Sequence, residues 1–267
     1  MNMYVHELKA LRKSTMLWTV VLIGLAVMYL SIYPGMAHDA KDFVRLLANY
    51  PPQIRAMLGI NLSYITSILG FYSMIFSFIV LCGAIQGMNL GLSVLSKESR
   101  EQTADFLLVK PVSRPAIVTA KLFASLTAIL ATYWIFYAAA ILIANGVKTD
   151  NFDGKVFFLI NLTLLFIQLI FFAVGMALSV LFGKLKTVLP LSLGVVIGFY
   201  LIGALINSGK NDPAVRYFSP FNYFNSAYII RHSAYEAPYL ITAAGIVVAA
   251  VLVTYIVYSK KDIHAVS

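Results

Sequence analysis

Three carboxylates on one helical face mark the segment 96–121, the longest strongly charged segment of the chain. Glu98, Glu101 and Asp105 are spaced by three and four residues, which places them along one side of a short helix. Phe106 and the two leucines after it add an apolar tip. An acidic face with an apolar tip suits docking into a groove on a partner protein. The alternative is a solvated loop whose charges serve only membrane topology.

Motifs for catalysis are missing from the sequence. The phosphate-binding pattern Gly-x-x-x-x-Gly-Lys-Ser/Thr does not occur, because the Gly-Lys pairs at Gly154, Gly183 and Gly209 are followed by Val, Leu and Asn. We therefore expect no ATP hydrolysis by this chain, no catalytic residue and no bound cofactor. The histidines lack the spacing of metal ligands, so no metal site is expected. They are His6, His38, His232 and His264.

The composition predicts an integral membrane protein. Hydrophobic residues make up 60% of the chain, charged residues only 12%, and the mean hydropathy is +0.84. A net charge of +9 could indicate nucleic-acid binding, but the basic residues stand singly at the ends of apolar runs. This placement favours anchoring at lipid headgroups, so the expected partner is a bilayer and not a nucleic acid.

Six apolar runs are long enough to cross a bilayer, whose hydrocarbon core of about 30 Å needs about 20 helical residues. They are residues 15–33, 63–93, 122–145, 156–182, 188–206 and 239–258. We treat residues 1–267 as a single transmembrane domain, and the even number of runs puts both termini on one side. The centres of these runs hold no Asp, Glu, Lys or Arg. Because carriers driven by proton gradients need titratable groups there, we expect the driving force to arrive from outside the chain.

The distribution of basic residues favours cytoplasmic termini. On that assumption the inner segments carry 12 Lys and Arg in 55 residues, and the outer segments carry 8 in 70. An excess on the inner side is the expected sign.

Residues 1–13 carry an amphipathic pattern before the first run. Tyr4, Leu8 and Leu11 are at helical spacing, and basic side chains lie largely opposite them. Such a segment is predicted to lie flat in the membrane interface as an elbow helix. The alternative is a frayed basic flank that orients the first span.

Small residues repeat every four positions in the second run. Gly83, Gly87 and Gly91 would let a neighbouring helix approach at backbone distance. Gln86 and Asn89 lie beside this stripe, and amides in hydrocarbon need partners. The two amides are therefore interpreted either as packing contacts or as lining of a translocation path.

The segment 96–121 resembles the cytoplasmic loop of the ABC-2 family of ATP-binding-cassette transporter permeases. The matching residues are Glu98, Glu101, Thr103, Phe106 to Leu108, Pro111, Ser113, Arg114 and Lys121. One position departs from the family pattern, since Gln102 replaces the usual Gly before the Thr.

This resemblance implies an all-α fold of the type V exporter kind, with six transmembrane helices, an N-terminal elbow helix and a cytoplasmic coupling helix. The coupling helix would insert into a cleft of a separate nucleotide-binding ATPase subunit, which uses ATP and Mg. The residues assigned to this contact are Glu98, Arg100, Glu101, Thr103, Asp105, Phe106, Leu107 and Arg114.

The resemblance also implies a second permease chain, identical or a related paralogue. The pair Gly194 and Gly198 in the fifth run is the candidate for that contact, with packing inside one chain as the alternative. The ring-rich outer loop 207–238 contains Ser219-Pro220-Phe221, which resembles a family element in short re-entrant helices. The alternative is an aromatic belt at the interface.

The predicted function is that of a multi-pass permease subunit of an exporter in the cell membrane, which forms the substrate path. Two alternatives stay open: a non-transporting scaffold or sensor subunit that docks a cytoplasmic partner, and a secondary carrier.

Overall fold

Long apolar helices account for most of this computed structural model, which describes residues 3–100, 113–182, 187–209 and 212–260. Two 3-10 helices of the described residues are Val215–Phe218 and Pro220–Asn222. The α-helices of the described residues are α1 (Met3–Leu30), α2 (Tyr33–His38), α3 (Ala40–Ala48), α4 (Pro52–Met57), α5 (Ile68–Arg100), α6 (Arg114–Val147), α7 (Gly154–Leu181), α8 (Leu189–Ser208), α9 (Ser226–His232) and α10 (Ala237–Lys260).

Six of these helices, α1, α5, α6, α7, α8 and α10, are long and apolar enough to cross a membrane. The predicted all-α fold with six membrane-spanning helices is therefore confirmed. We call the end of the bundle that holds the start of α1 and the end of α10 the termini side. The opposite end, called the loop side, holds α2 to α4, α9 and the two 3-10 helices.

Helices α5 and α7 form the centre of the bundle and are the most buried of the six. They pack along each other, while α1 packs mainly on α6 and α10 on α7. Near the loop side, Tyr72 of α5 stacks on Phe157 of α7 with ring centroids 4.8 Å apart. The Tyr72 hydroxyl donates to the Asn161 side chain at 2.8 Å, so this buried phenol is satisfied inside the bundle.

The start of α1 differs from the sequence prediction. Residues 3–13, expected as a separate elbow helix, continue without a break into the first span. Tyr4, Leu8 and Leu11 are partly buried as the pattern indicates, but α6 helps to cover this face, since the Tyr4 hydroxyl lies 2.9 Å from the Thr127 hydroxyl. No Gly or Pro interrupts the sequence before Gly24, so nothing in the chain favours a bend there.

The other predicted runs coincide with long helices, but α5 ends seven residues later than predicted and α6 begins eight residues earlier. The second run begins at Ile68 and not at residue 63, because residues 62–66 form turns. Helix α7 begins where Asp153 caps it, the carboxylate accepting from the backbone N–H of Lys155 at 2.8 Å and of Val156 at 3.4 Å.

Candidate functional site

The glycine stripe of α5 lies directly against α7. A Cβ atom at Gly87 would stand 2.5 Å from the Gln168 carbonyl oxygen, and one at Gly91 would overlap the Phe172 carbonyl oxygen. On the opposing helix, a Cβ at Gly175 would stand 2.7 Å from the Met88 carbonyl oxygen. The two backbones are therefore in contact, which only glycine permits at these positions. A Cβ atom at Gly83 would collide with the end of a leucine side chain of α7.

Amides and hydroxyls from four helices join in the middle of the bundle, and we call these four side chains the amide network. The Gln168 side chain of α7 donates to the Gln86 side chain of α5 at 2.9 Å. Gln86 in turn donates to the Thr132 hydroxyl of α6 at 3.2 Å. The Thr19 hydroxyl of α1 reaches the same Thr132 oxygen at 3.3 Å. All four side chains are buried, so the network cross-links α1, α5, α6 and α7.

The two amides that the sequence singles out have different surroundings. Gln86 belongs to the amide network, an arrangement that favours packing over a path-lining role. Asn89 is only half-buried. Gln168, the partner of Gln86, was missed in the sequence, although it is one of two amides, with Asn161, in the fourth apolar run and needs a partner as Gln86 does.

Some buried polar atoms near the middle of the bundle have no hydrogen-bond partner among the described residues. These are the Gln168 Oε1, Ser125 Oγ and Tyr133 hydroxyl oxygens. Each is an acceptor or donor that a rearrangement of the helices or a water molecule could satisfy.

A buried ion pair joins α1 to α6 on the termini side. The Lys121 ammonium lies 3.1 Å from the Glu7 carboxylate, and the exposed fraction of these side chains is 0% and 10%. The sequence indicated Lys121 only as a residue of the ABC-2 pattern, and it was not used to predict a role for Glu7. The signal was available, because Glu7 is the only acidic residue among the first 38. An acidic residue so isolated in a basic, apolar segment needs a cationic partner.

The residues assigned to ATPase coupling lie mostly outside the described residues. Glu98 and Arg100 belong to the last turn of α5, and Arg114 is the first residue of α6. The Arg114 guanidinium approaches the Ser259 carbonyl oxygen of α10 at 3.5 Å. Outside the described residues lie Glu101, Thr103, Asp105, Phe106 and Leu107. The coupling helix therefore stays a prediction.

The candidate dimer contact lies on an open face of α8. A Cβ atom at Gly194 or Gly198 would meet no atom within 4 Å in the described chain. Exposed apolar side chains, among them Ile197 and Leu201, flank the two glycines. This face is covered either by lipid or by another chain, and the contact with a second permease stays a prediction.

The loop between α8 and α9 is folded onto the bundle by its polar side chains. The Ser219 hydroxyl donates to the Phe199 carbonyl oxygen at 2.7 Å, and the Asn222 amide donates to the Gly203 carbonyl oxygen at 3.1 Å. Both loop side chains are buried against α8. Gly203 leaves the room for them, since a Cβ there would stand 2.8 Å from the Ser219 hydroxyl oxygen.

An ion pair then ties this loop to the start of α10. The Arg216 guanidinium makes two parallel hydrogen bonds of 2.9 Å to the Glu236 carboxylate. It also donates to the Asn222 carbonyl oxygen at 3.0 Å and lies 4.1 Å from the centre of the Tyr239 ring. Most N–H groups of the Arg216 guanidinium therefore already have a hydrogen-bond acceptor.

Tyr235 fastens the segment before α10 to α7. Its hydroxyl donates to the Leu159 carbonyl oxygen. Burial raises the pKa of the Tyr235 phenol, and a hydrogen bond with Thr163 opposes this shift. The phenol therefore stays neutral over the ordinary pH range.

A cavity of about 480 Å³ opens on the loop side between α5, α8 and the connecting segments. We call it the loop-side cavity. Its wall combines serine, threonine and asparagine side chains with tyrosine and phenylalanine rings. Its volume is within the range of small-molecule sites, about 300–1,000 Å³. Neither Gln86 nor Asn89 is part of its wall. Within the described ranges, no three His, Cys, Asp or Glu side chains come together as metal ligands would.

Six helices long and apolar enough to cross a bilayer define a multi-pass membrane protein. The sequence pattern described as ABC-2 family transporter protein matches residues 1–263. The chain belongs to the ABC-2 family of transporter proteins. A comparison with curated proteins finds no match.

Proposed function

We propose that this chain is the membrane-spanning permease subunit of an ABC-2 type exporter in the cell membrane, with cytoplasmic termini. The observation that carries the proposal is the family match over residues 1–263 on a bundle of six apolar helices. The permease would form the substrate path together with a second permease chain. Two separate ATPase subunits would supply the energy.

The placement of charge supports an external energy source. From residue 122 to the end of α6, and throughout α8, the described helices contain no Asp, Glu, Lys or Arg. The buried ion pair of Glu7 and Lys121 lies near the termini side and not in the middle of the bundle. A site for a coupling proton is therefore missing from the described middle of the bundle, whereas a docked ATPase needs none.

ATP-driven movement would reach the bundle through the loop between α5 and α6. Because these two helices flank residues 101–113, a partner that grips this loop would move both. Helix α5 packs closely on α7, and α6 packs on α1, so the movement would spread to four helices.

Paired substitutions in the loop test this mechanism. The double variant Glu101→Ala with Phe106→Ala should insert normally but lose most of the stimulated ATPase turnover and the association with the ATPase subunit. Asp42→Ala is the matched control, since this exposed carboxylate is on the loop side. The measurement is co-purification from native membranes, followed by ATPase assays in proteoliposomes.

Each outcome separates the proposal from its alternatives. Unchanged ATPase association and turnover in the double variant would refute coupling through this loop. Association without any stimulated turnover or transport would instead indicate a scaffold subunit. Transport that stops when ion gradients are dissipated, and not when ATP is removed, would indicate a secondary carrier.

A further inference from the structure

The loop-side cavity reaches deep into the bundle. Among its wall residues, Val80 follows the start of α5 at Ile68 by 12 residues. At a rise of about 1.5 Å per residue, this distance is about 18 Å along the helix. Thr163 lies nine residues into α7, or about 14 Å from its start by the same rise. A molecule in the cavity would therefore extend from the loop side to about the middle of a 30 Å hydrocarbon core.

The part of the cavity wall that the structure describes carries little net charge. Among the described wall residues, Arg216 is the one with a formal charge. The Glu236 carboxylate neutralises it through two hydrogen bonds, and the Asn222 carbonyl oxygen takes a further donor. An anionic ligand would have to compete with Glu236 for the guanidinium, and a cationic ligand would meet no carboxylate in the described wall.

Hydrogen-bond donors and acceptors are both offered by the wall. The Ser73 hydroxyl donates to a carbonyl oxygen of its own helix at 2.8 Å, which leaves its oxygen as an acceptor. The Asn225 side-chain oxygen accepts from two backbone N–H groups of α9, so its NH₂ group remains a donor. The Asn207 amide makes no hydrogen bond to another described residue. Hydroxyl and amide groups, which both donate and accept, complement such a wall.

Aromatic rings supply the apolar part of the wall. Phe221 lies against Tyr200 with ring centroids 5.4 Å apart, and Phe76 and Phe224 also border the cavity. Rings beside amides and hydroxyls suit a ligand that has an apolar part next to a polar one. A purely apolar ligand would leave the amides of the wall without hydrogen bonds. A purely polar ligand would leave the aromatic rings uncovered.

We propose that the loop-side cavity binds an uncharged amphiphile whose polar part carries hydroxyl or amide groups. That this ligand is the transported substrate rests on the function proposed above, but its binding does not. The polar part of the ligand would lie against Asn207 and Asn225, where the cavity opens on the loop side. The apolar part would lie deeper, against the rings of α5 and the loop.

Protection of a single thiol tests the proposal without any ATPase subunit. Cys82 is the one cysteine of the sequence, so Cys82→Ser provides a background in which Ser77→Cys is the reporter. The full chain in proteoliposomes is labelled with maleimide in the presence of one of three probes with the same eight-carbon chain. They are octyl glucoside, octyl phosphate and octyltrimethylammonium, used below micelle formation and matched by membrane-bound concentration.

The uncharged probe should slow labelling about fivefold at a free concentration about four times its Kd, because only the unoccupied fraction reacts. The two charged probes should leave the rate nearly unchanged. Adding Ala204→Trp, which fills the cavity from α8, should abolish the protection by octyl glucoside. Ile202→Trp is the matched control, since this side chain is exposed on the outer surface of the same helix.

Several results would overturn the proposal. Equal protection by all three probes would show mere partitioning into the bilayer, and stronger protection by a charged probe would show the wrong ligand class. A thiol that does not react even without a probe would show that the cavity is closed. Protection that survives Ala204→Trp in a folded variant would place the ligand elsewhere. A chain that fails to bind an ATPase could still pass this test, so the two proposals fail separately.

Discussion

Removal of either partner of the buried ion pair should destabilise the bundle strongly. Lys121 is fully buried and Glu7 is 10% exposed, with 3.1 Å between the charged atoms. Loss of one partner of a buried pair typically costs about 3–5 kcal/mol, because a charge remains where water cannot solvate it. Glu7→Gln should destabilise the bundle within this range, since it removes the carboxylate that lies 3.1 Å from the fully buried ammonium. Lys121→Met should cost less, because the carboxylate keeps some contact with solvent.

Replacing both partners should cost far less than the sum of the two single changes. In Glu7→Leu with Lys121→Met, both charges are gone and two apolar side chains of similar volume face each other, which is often close to neutral. The coupling free energy of this double-mutant cycle should therefore be several kcal/mol. A double variant as stable as the parent would show that the pair as a whole adds little net stability.

Reversible unfolding in mixed micelles, followed by the loss of helical circular dichroism, measures these differences. A cost of about 3 kcal/mol changes the ratio of folded to unfolded chains by roughly a hundredfold, so the shift is easily resolved. Lys9→Met is the control, because Lys9 is an exposed cation on the same helix. Single changes that cost under about 1 kcal/mol, as for exposed pairs, would refute the reasoning.

Two further predictions concern packing and pH. Gly87→Ala should destabilise the bundle by about 1–3 kcal/mol in the same unfolding assay, because its Cβ would press on the Gln168 carbonyl oxygen. Gly194→Ala is the control. It has open space around it and should be neutral or stabilising by up to about 1 kcal/mol. A Gly87→Ala variant as stable as the parent would contradict the close helix contact. Since the pKa of Tyr235 is raised, its contribution is complete below the unfolded pKa of about 10 and is lost as the pH rises above that value. The free energy of unfolding should therefore fall more steeply above pH 10 in the parent than in Tyr235→Phe, and equal slopes would show that the phenol is not held neutral.

The six spans could be predicted because a span is a local property of the sequence. A run of about 20 apolar residues needs no partner to be recognised, and every predicted run coincides with a long helix. The position of the predicted elbow helix could not be predicted from such a local property. Its amphipathic pattern fits a helix lying on lipid as well as one packed on α6, and the tertiary contact of Tyr4 with Thr127 decides between them.

Contacts between residues that are far apart in the sequence could not be predicted. Gln86 was recognised as an amide in need of a partner, but a choice between packing and path lining requires the position of Gln168, 82 residues further along the chain. Glu7 and Lys121 are separated by 114 residues, and periodicity within one helix carries no information about such a pair. A cavity is harder still, because its wall is defined by what several segments leave empty.

The hydrogen bonds inside the bundle form two groups, which are joined through Tyr235 to α7 and through Arg114 to α10, and the loop-side cavity lies between α5 of one group and α8 of the other. The amide network and the ion pair connect α1, α5, α6 and α7. Ser219 and Asn222 connect the loop after α8 to α8 itself, and Arg216 connects that loop to α10. The cavity is bordered by α5 from the first group and by α8 from the second. A change in its width would require α8 to move against α5, and the hydrogen bonds of Tyr235 with α7 and of Arg114 with α10 would limit how far α10 could follow.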